Sequence, residues 1–325
     1  MIRWGILGTG KIARAFATAL KDTPGAVLAA VASRSSDSAT AFAAEFGAAQ
    51  AFASYEALAS APGIDIVYIA TPHPMHAQNA LLLLGGGKAV LCEKAFTMNC
   101  REAEQVIALA REKQLFVMEA MWTRFMPALA EVKRIIGSGE IGPVHLVHAD
   151  FGFSATKDPA HRVNNPALGG GALLDLGIYP LSIAAALLGP VASVHAKADI
   201  GATGVDLQTS FTLQHQGGAM AVCSCSFKAR TPCELPVCGE LGFVRMNTQF
   251  HRSTSVTVSL ADGHTRTVPT PYLGNGYVHE AMEAGRCLRE GLLESPIMPQ
   301  DETLHLMGVL DSIRRQVGVR YRVDE

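Results

Sequence analysis

The sequence predicts an α/β protein in two parts. Residues 1–118 form a doubly wound parallel sheet, and 119–325 form an α+β domain on an open, mostly antiparallel sheet. Three observations predict this. The first third alternates short apolar runs with helical periodicities, the pattern of a parallel sheet covered on both faces. Beyond about residue 120 the hydrophobic period drops to two. The chain also has 325 residues, more than one hydrophobic core usually organises.

The elements follow in order. Ile2 to Leu7 is an apolar run ended by glycine, residues 11–20 form a helix, and Val27 to Ala32 is a second buried run. Ser36 starts a helix: Ala39, Phe42, Ala43 and Phe46 fall at i, i+3, i+4 and i+7, and Gly47 stands where a left-handed cap belongs. Ile64–Ala70, Ala89–Cys92 and Leu115–Met118 are further strands. Ala103, Val106, Ile107 and Ala110 mark a helix between the last two. A helix over 127–136 and a strand over 143–151 lead to the glycine run 169–171. Leu207, Thr209, Phe211 and Leu213 then share one strand face, and Gln216-Gly217-Gly218 turns the chain into Ala219–Phe227. Asp262-Gly263 joins a second hairpin, Thr254–Leu260 to His264–Val268, and helices over 276–290 and 301–317 close the chain.

Composition narrows the function. With 27 basic and 29 acidic side chains the net charge is −2, which lacks the basic excess of a nucleic-acid clamp. Hydrophobic residues make up 49% and charged ones 17%, which excludes a disordered chain. The mean hydropathy of +0.21 raises the question of a membrane, but no uninterrupted apolar run approaches the roughly 18–20 residues of a span. The N-terminus reads directly into a strand rather than a signal peptide. Seven cysteines without a CxxC pair argue for a reducing, cytoplasmic setting.

Gly8-Thr9-Gly10-Lys11-Ile12-Ala13 is GxGxxA between the first strand and the first helix. Gly8 permits the tight turn, Gly10 admits a pyrophosphate to the backbone, and Ala13 lets helix and strand pack closely. The helix N-terminus offers N–H groups and a positive dipole to the diphosphate. The second strand ends in Ala32-Ser33-Arg34-Ser35, with no carboxylate until Asp37. An acid would bind an adenosine ribose, whereas Arg34, helped by the Ser33 and Ser35 hydroxyls, suits a 2′-phosphate. NADP is therefore the expected cofactor, with NAD the alternative; Asp37 is expected to cap the next helix if Arg34 is only a solvated loop residue.

Three further segments place polar residues at the carboxyl ends of strands: Thr71-Pro72-His73-Pro74-Met75-His76, Glu93-Lys94-Ala95, and Gly169-Gly170-Gly171 running through Asp175 to Tyr179. Together with GxGxxA they resemble the glucose–fructose oxidoreductase/inositol dehydrogenase (Gfo/Idh/MocA) family over essentially the whole chain. Met118-Glu119-Ala120-Met121-Trp122-Thr123-Arg124-Phe125 is most similar to its dihydrodiol and NADP-dependent D-xylose dehydrogenase branch. The resemblance implies that Lys94 and Asp175 contact a substrate hydroxyl and that Tyr179 is the acid–base. It also implies that Thr71, Pro72, His73 and Glu93 line the cofactor. The residue types suit that chemistry: a phenol titrates near ~10, and a neighbouring ammonium favours its phenolate. Many family members carry proline after the lysine and histidine at the Tyr179 position. Here Ala95 follows Lys94, which predicts a trans peptide, and Tyr179 fits the dihydrodiol branch. Asp175 and Tyr179 are four apart, so they share a helix face unless Gly177 and Pro180 kink the segment near Tyr179.

Trp122, Arg124, Phe151, Phe153, Arg162 and Asn165 are the substrate-side candidates, an aromatic wall with hydrogen-bonding groups suited to a hydroxylated ring. His73 and His76 form HxxH, yet Pro74 between them and the lack of a four-ligand set argue against a metal. Cys223 and Cys225 share a strand face as buried thiols. The expected protein is an NADP-dependent dehydrogenase of a cyclic vicinal diol, binding substrate between its domains. Its open second sheet is expected to pack against a second copy, with neither nucleic acid nor membrane as partner. An NAD-dependent sugar or inositol dehydrogenase and a non-catalytic dinucleotide sensor are the alternatives.

Overall fold

The computed structural model describes residues 1–324, which form two compact units. One comprises Met1–Trp122 and Leu273–Leu304; the other comprises Thr123–Tyr272 and the chain from His305 onward. The expected division at 118/119 is thus corrected, because residues 273–304 return to the first unit. Hydrogen bonds fix that return: Asn275 Nδ2 donates to the Ala15 carbonyl at 2.8 Å, and Val117 N donates to the Leu293 carbonyl at 3.2 Å.

In the first unit the strands are β1 (Ile2–Leu7), β2 (Ala26–Ala32), β3 (Gln50–Phe52), β4 (Ile66–Ile69), β5 (Ala89–Glu93) and β6 (Val117–Ala120). They lie parallel in the order β3-β2-β1-β4-β5-β6. Helices α1 (Lys11–Lys21), α2 (Ser36–Phe46), α3 (Tyr55–Ser60), α4 (His76–Gly85), α5 (Cys100–Lys113) and α8 (Val278–Arg289) accompany them. Every residue of β4, β5 and β6 is buried, which explains their apolar runs. Trp4, Phe16 and Tyr68 fill the centre, Phe16 stacking on Tyr68 at 3.8 Å. Helix α2 ends at Gly47 in the left-handed region, as the spacing predicts; its N-cap, however, is Ser35, which accepts from Ser38 N, rather than Asp37.

The second unit holds an eight-stranded sheet in the order β14-β13-β12-β11-β7-β10-β9-β8. Its strands are β7 (Val144–Gly152), β8 (Val191–Ile200), β9 (Asp206–His215), β10 (Met220–Ser226), β11 (Leu235–Gly239), β12 (Gly242–Met246), β13 (Ser255–Leu260) and β14 (Thr265–Pro269). Only β7 and β10 pair in parallel. Both expected hairpins form, β9–β10 and β13–β14. Helices α6 (Pro127–Gly137) and α7 (Ile178–Leu188) cover one face. Cross-strand register places Met220, Leu146, Cys238 and Phe243 in one row of the other face, where Met220 and Phe243 are exposed. Helix α9 (Gln300–Val317) ends against the edge strand β8. There Gln316 accepts from Ala196 N at 3.0 Å and donates to the Val194 carbonyl at 2.8 Å.

The segment Pro166–Leu188 has the length and hydropathy of a membrane span although Asp175 interrupts its apolar run; 78% of its most apolar window is buried inside the protein. It opens on the glycine run. Gly171 has φ +126°, and a β-carbon there would lie 2.5 Å from Asp206 Oδ1 and 2.9 Å from Tyr321 Oη. Asp206 Oδ2 accepts from Leu173 N at 2.8 Å and from Thr209 Oγ1 at 2.7 Å, while Tyr321 Oη donates to the Gly170 carbonyl at 2.5 Å. No side chain at Gly171 fits this clamp, in which Asp206 and Tyr321 grip the turn into α7 by its backbone groups. Gly171→Ala is expected to cost about 1–3 kcal/mol in urea denaturation through overpacking and positive φ; an unchanged midpoint would remove the clamp as a determinant of stability.

Candidate active site

The loop between β1 and α1 has the shape that a diphosphate needs. Gly8 takes φ +109°, and a β-carbon there would lie 2.8 Å from the Ala70 carbonyl oxygen, so only glycine lets the end of β1 lie against the end of β4. Gly10 is the N-cap of α1 and carries no side-chain cap, while a β-carbon there would meet nothing within 4 Å. The first N–H groups of α1 therefore face open space, which fits an anion at the strand-order reversal. Ala13 is fully buried, as close helix packing requires; Thr9 and Ile12 are partly exposed and Lys11 exposed around the loop.

At the end of β2, Arg34 and Ser35 are exposed and Ser33 half-buried. Ser33 Oγ accepts from Ser35 N at 3.4 Å. Burial raises the Tyr55 phenol above its ordinary range, and the Arg34 guanidinium hydrogen-bonded beside it pulls it back. Tyr55 escapes a sequence reading because β3 and α3 are too short to show a period.

Two further loops line this end of the sheet. After β4, Thr71 is buried, Pro72 exposed, and the His73 ring lies 2.9 Å from the Thr97 carbonyl. After β5, Glu93 is buried: its Oε1 accepts from the Tyr68 hydroxyl and its Oε2 from Lys94 N at 3.1 Å. Lys94 is half-buried. The expectation of a trans bond here is corrected, since the Lys94–Ala95 peptide is cis. The backbone on both sides is pinned by side chains, Lys94 N by Glu93 and Phe96 N by Glu119 Oε1 at 3.0 Å. Behind Glu93 lies Glu280 of α8, wholly buried, with no hydrogen-bond partner for either oxygen among the described residues. Burial, and then the nearby Glu93 charge, raise its carboxyl well above the usual range. Helical spacing places Glu280 on the stripe of Tyr277, Ala284 and Cys287, a carboxyl among small and apolar residues.

In the second unit Asp175 lies in a π-helical turn, Leu173–Gly177, that runs into α7 at Ile178. The alternative of a kink near Tyr179 does not form: α7 runs regularly from Ile178, with Pro180 in its first turn, where a missing N–H is harmless. Asp175 Oδ2 meets Arg162 Nη2 at 3.1 Å. Tyr179 is 7% exposed. Phe151 meets it edge-on at 5.2 Å and stacks on His251 at 4.4 Å, and His251 lies 5.9 Å from Tyr179. His251 is a site residue that the sequence leaves unmarked, coming from a single turn between β12 and β13.

Arg162, Asp175, Phe151 and Tyr179 thus belong to one neighbourhood of the second unit, with Asn165 capping the turn that follows Arg162 by accepting from Ala167 N at 2.9 Å. Three candidates remain. Arg124 is 4% exposed and donates from Nε to Ser182 Oγ at 2.8 Å inside the core; Phe153 packs on Phe227. Trp122 belongs to the first unit and stacks on Tyr277 at 4.4 Å. Among the described residues no three His, Cys, Asp or Glu are grouped to hold a metal ion. Burial raises the thiols of Cys92, Cys223 and Cys225 well above their usual range, so none is a ready nucleophile.

Known proteins resemble this chain in sequence and fold. The family model described as "Oxidoreductase family, NAD-binding Rossmann fold" matches residues 2–121, and the GFO/IDH/MocA C-terminal domain matches residues 129–245. The chain belongs to the GFO/IDH/MocA family of oxidoreductases. It is 36% identical to trans-1,2-dihydrobenzene-1,2-diol dehydrogenase of Mus musculus, over 100% of this chain and 99% of that one. It is 34% identical to D-xylose 1-dehydrogenase (NADP(+)) of Hypocrea jecorina, over 98% and 93%. Among solved structures, the 3-ketoreductase KijD10 of Actinomadura kijaniata, in complex with NADP and TDP-benzene, superposes with a TM-score of 0.86 at 26% identity, over 97% of this chain and 98% of that one. Family membership makes the protein an enzyme of the oxidoreductase class with an NAD-binding domain at its N-terminus.

The Glu280 carboxyl has a measurable consequence. Folded protein keeps a proton that unfolded chain releases above about pH 4.5, so this group favours the folded state at low pH and its contribution is lost as pH rises. Glu280→Gln is therefore expected to gain stability over wild type progressively as pH rises above that value. Thermal midpoints of both proteins from pH 4 to 9, giving a pH-independent difference, would contradict the assignment.

Proposed function

We propose that the protein is an NADP-dependent dehydrogenase that oxidises a cyclic vicinal diol, either a pyranose sugar or a trans-dihydrodiol. The observation that carries the cofactor half is the end of β2: Arg34 stands there beside Tyr55, with Ser33 and Ser35 on either side and no carboxylate. A guanidinium pairs with a 2′-phosphate that a carboxylate would repel. The substrate half is supported by the names of the full-length relatives and by the aromatic surroundings of Tyr179.

Oxidising an alcohol removes a proton from oxygen and a hydride from carbon. The nicotinamide, when bound, accepts the hydride. Gly8 and Gly10 leave room for the diphosphate, the N-terminus of α1 neutralises it, and Arg34 takes the adenosine 2′-phosphate. Tyr179 receives the hydroxyl proton, and Lys94 stabilises negative charge on the reacting oxygen. Asp175 orients the substrate hydroxyl, with Arg162 holding its carboxylate. Phe151 and His251 fix the phenol ring by packing, which limits its loss of freedom during reaction.

Assay of NADP reduction against a panel of pyranoses and cyclic diols tests the reading. Turnover is expected with at least one, Tyr179→Phe and Lys94→Met are expected to lower kcat by about 10²–10⁴-fold, and Arg34→Asp is expected to shift preference to NAD. No turnover on any member, or unchanged NADP preference in Arg34→Asp, would overturn it.

We also propose a cytoplasmic homodimer formed through the open face of the second sheet, with no membrane or nucleic acid as partner. The row Met220, Leu146, Cys238 and Phe243 is an apolar strip on that face. None of the described cysteines is in a disulfide, which suits a reducing compartment. Light scattering is expected to give twice the chain mass, and Met220→Lys with Phe243→Lys to halve it; a wild-type monomer would end the proposal.

A further inference from the structure

His76 forms the second half of the HxxH pattern, and neither a metal nor the proton-transfer set uses it. Its ring is 2% exposed. Nδ1 lies 3.1 Å from the Ala95 carbonyl oxygen and Nε2 lies 3.1 Å from the Thr71 carbonyl oxygen. Those carbonyls belong to different loops, one after β4 and one after β5, and Ala95 directly follows Lys94. Two neighbours reinforce the bridge: Asn79, one turn further along α4, donates from Nδ2 to Thr71 Oγ1 at 2.9 Å, and His73 contacts the Thr97 carbonyl at 2.9 Å. One short stretch, residues 73–79, therefore grips both loops by four polar contacts, with His76 at the centre.

A core histidine that only fills space has no need of carbonyls at both nitrogens. Burial, and to a lesser degree the Lys94 charge, disfavour the imidazolium that would donate to both carbonyls, so the neutral ring donates to one carbonyl at a time, and its two tautomers tie α4 to one loop or the other. The Ala95 carbonyl belongs to the residue directly after Lys94, so holding it fixes the backbone from which the ammonium projects.

We propose that His76 is a positioning residue: by bridging the Thr71 and Ala95 carbonyls it sets the spacing of the two loops and hence the placement of the Lys94 ammonium. This rests on the reading of Lys94 as part of the proton-transfer set. The bridge reaches neither Arg34 nor the N-terminus of α1, the groups that carry charge toward the cofactor, and Thr71 is held through its backbone carbonyl, so its larger effect falls on the chemical step rather than on cofactor affinity.

The test compares His76→Phe, which keeps a ring and removes both nitrogens, with His76→Asn, which restores one donor, and with Lys94→Met. Turnover is counted per NADPH-binding site, titrated by NADPH fluorescence, so that unfolded protein does not enter kcat. His76→Phe is expected to lose about ten- to a hundredfold in kcat, the scale of a small misplacement, while its NADPH affinity changes less than about threefold. His76→Asn is expected to recover most of the loss. If His76→Phe yields no folded protein, His76→Leu takes its place. Wild-type kcat in His76→Phe beside an inactive Lys94→Met would overturn the positioning role. So would a loss that Asn does not relieve, or one carried by NADPH affinity. Full activity in Lys94→Met would instead overturn the reading of Lys94, whatever His76 does.

Discussion

The close approach of two strand ends governs the first unit. Because Gly8 has no side chain, the end of β1 rests against the Ala70 carbonyl at the end of β4, where the strand order reverses. Any β-carbon there would force the strand ends apart. With the contact made, the loops after β1, β2, β4 and β5 share one end of the sheet, and residues far apart in sequence (Gly10, Arg34, Thr71, Lys94) become available to one extended ligand. The motif matters less as a signature than as a spacing rule: it brings backbone to backbone where a ligand needs both.

The second unit solves a comparable problem by different means. Asp206 is buried and lends one oxygen to Leu173 N and Thr209, while Tyr321 from the chain's far end holds Gly170. A rigid turn results, and the π-helical segment beyond it carries Asp175 to Arg162. Extra residues per turn are costly in an α-helix and tend to occur where a side chain must be re-aimed. Tyr179 follows in regular helix, its ring met edge-on by Phe151 and His251.

Much of this is legible in the sequence where local rules act. Mostly apolar runs mark β1, β2, β4 and β5; the Gly47 cap and the Asp262-Gly263 turn fall where spacing puts them. The reading fails where tertiary context decides. β11 carries Pro236 in the middle of a sheet, and most of β8 is exposed, so neither advertises itself. The helix over 278–289 is periodic enough to find, but nothing local says that it rejoins the first unit. The same holds for the site. Lys94, Asp175 and Tyr179 stand out by motif, whereas Tyr55, His251 and Glu280 become meaningful only through partners distant in the chain. Arg124 likewise has a partner that no local pattern shows, since its Nε donates to Ser182 of α7.

The amide of Gln316 has an effect beyond holding α9 in place. By both accepting from Ala196 and donating to Val194 it imitates a neighbouring strand, and so occupies backbone groups that an incoming strand would seek. At the opposite margin β14 is short, ends in Pro269, and projects Arg266 to Glu140. Both margins are thereby blunted against templated stacking, and this long sheet is protected from fibrous growth without being closed into a barrel. Negative selection of this kind leaves the broad face as the one surface of the sheet on which recognition can be written.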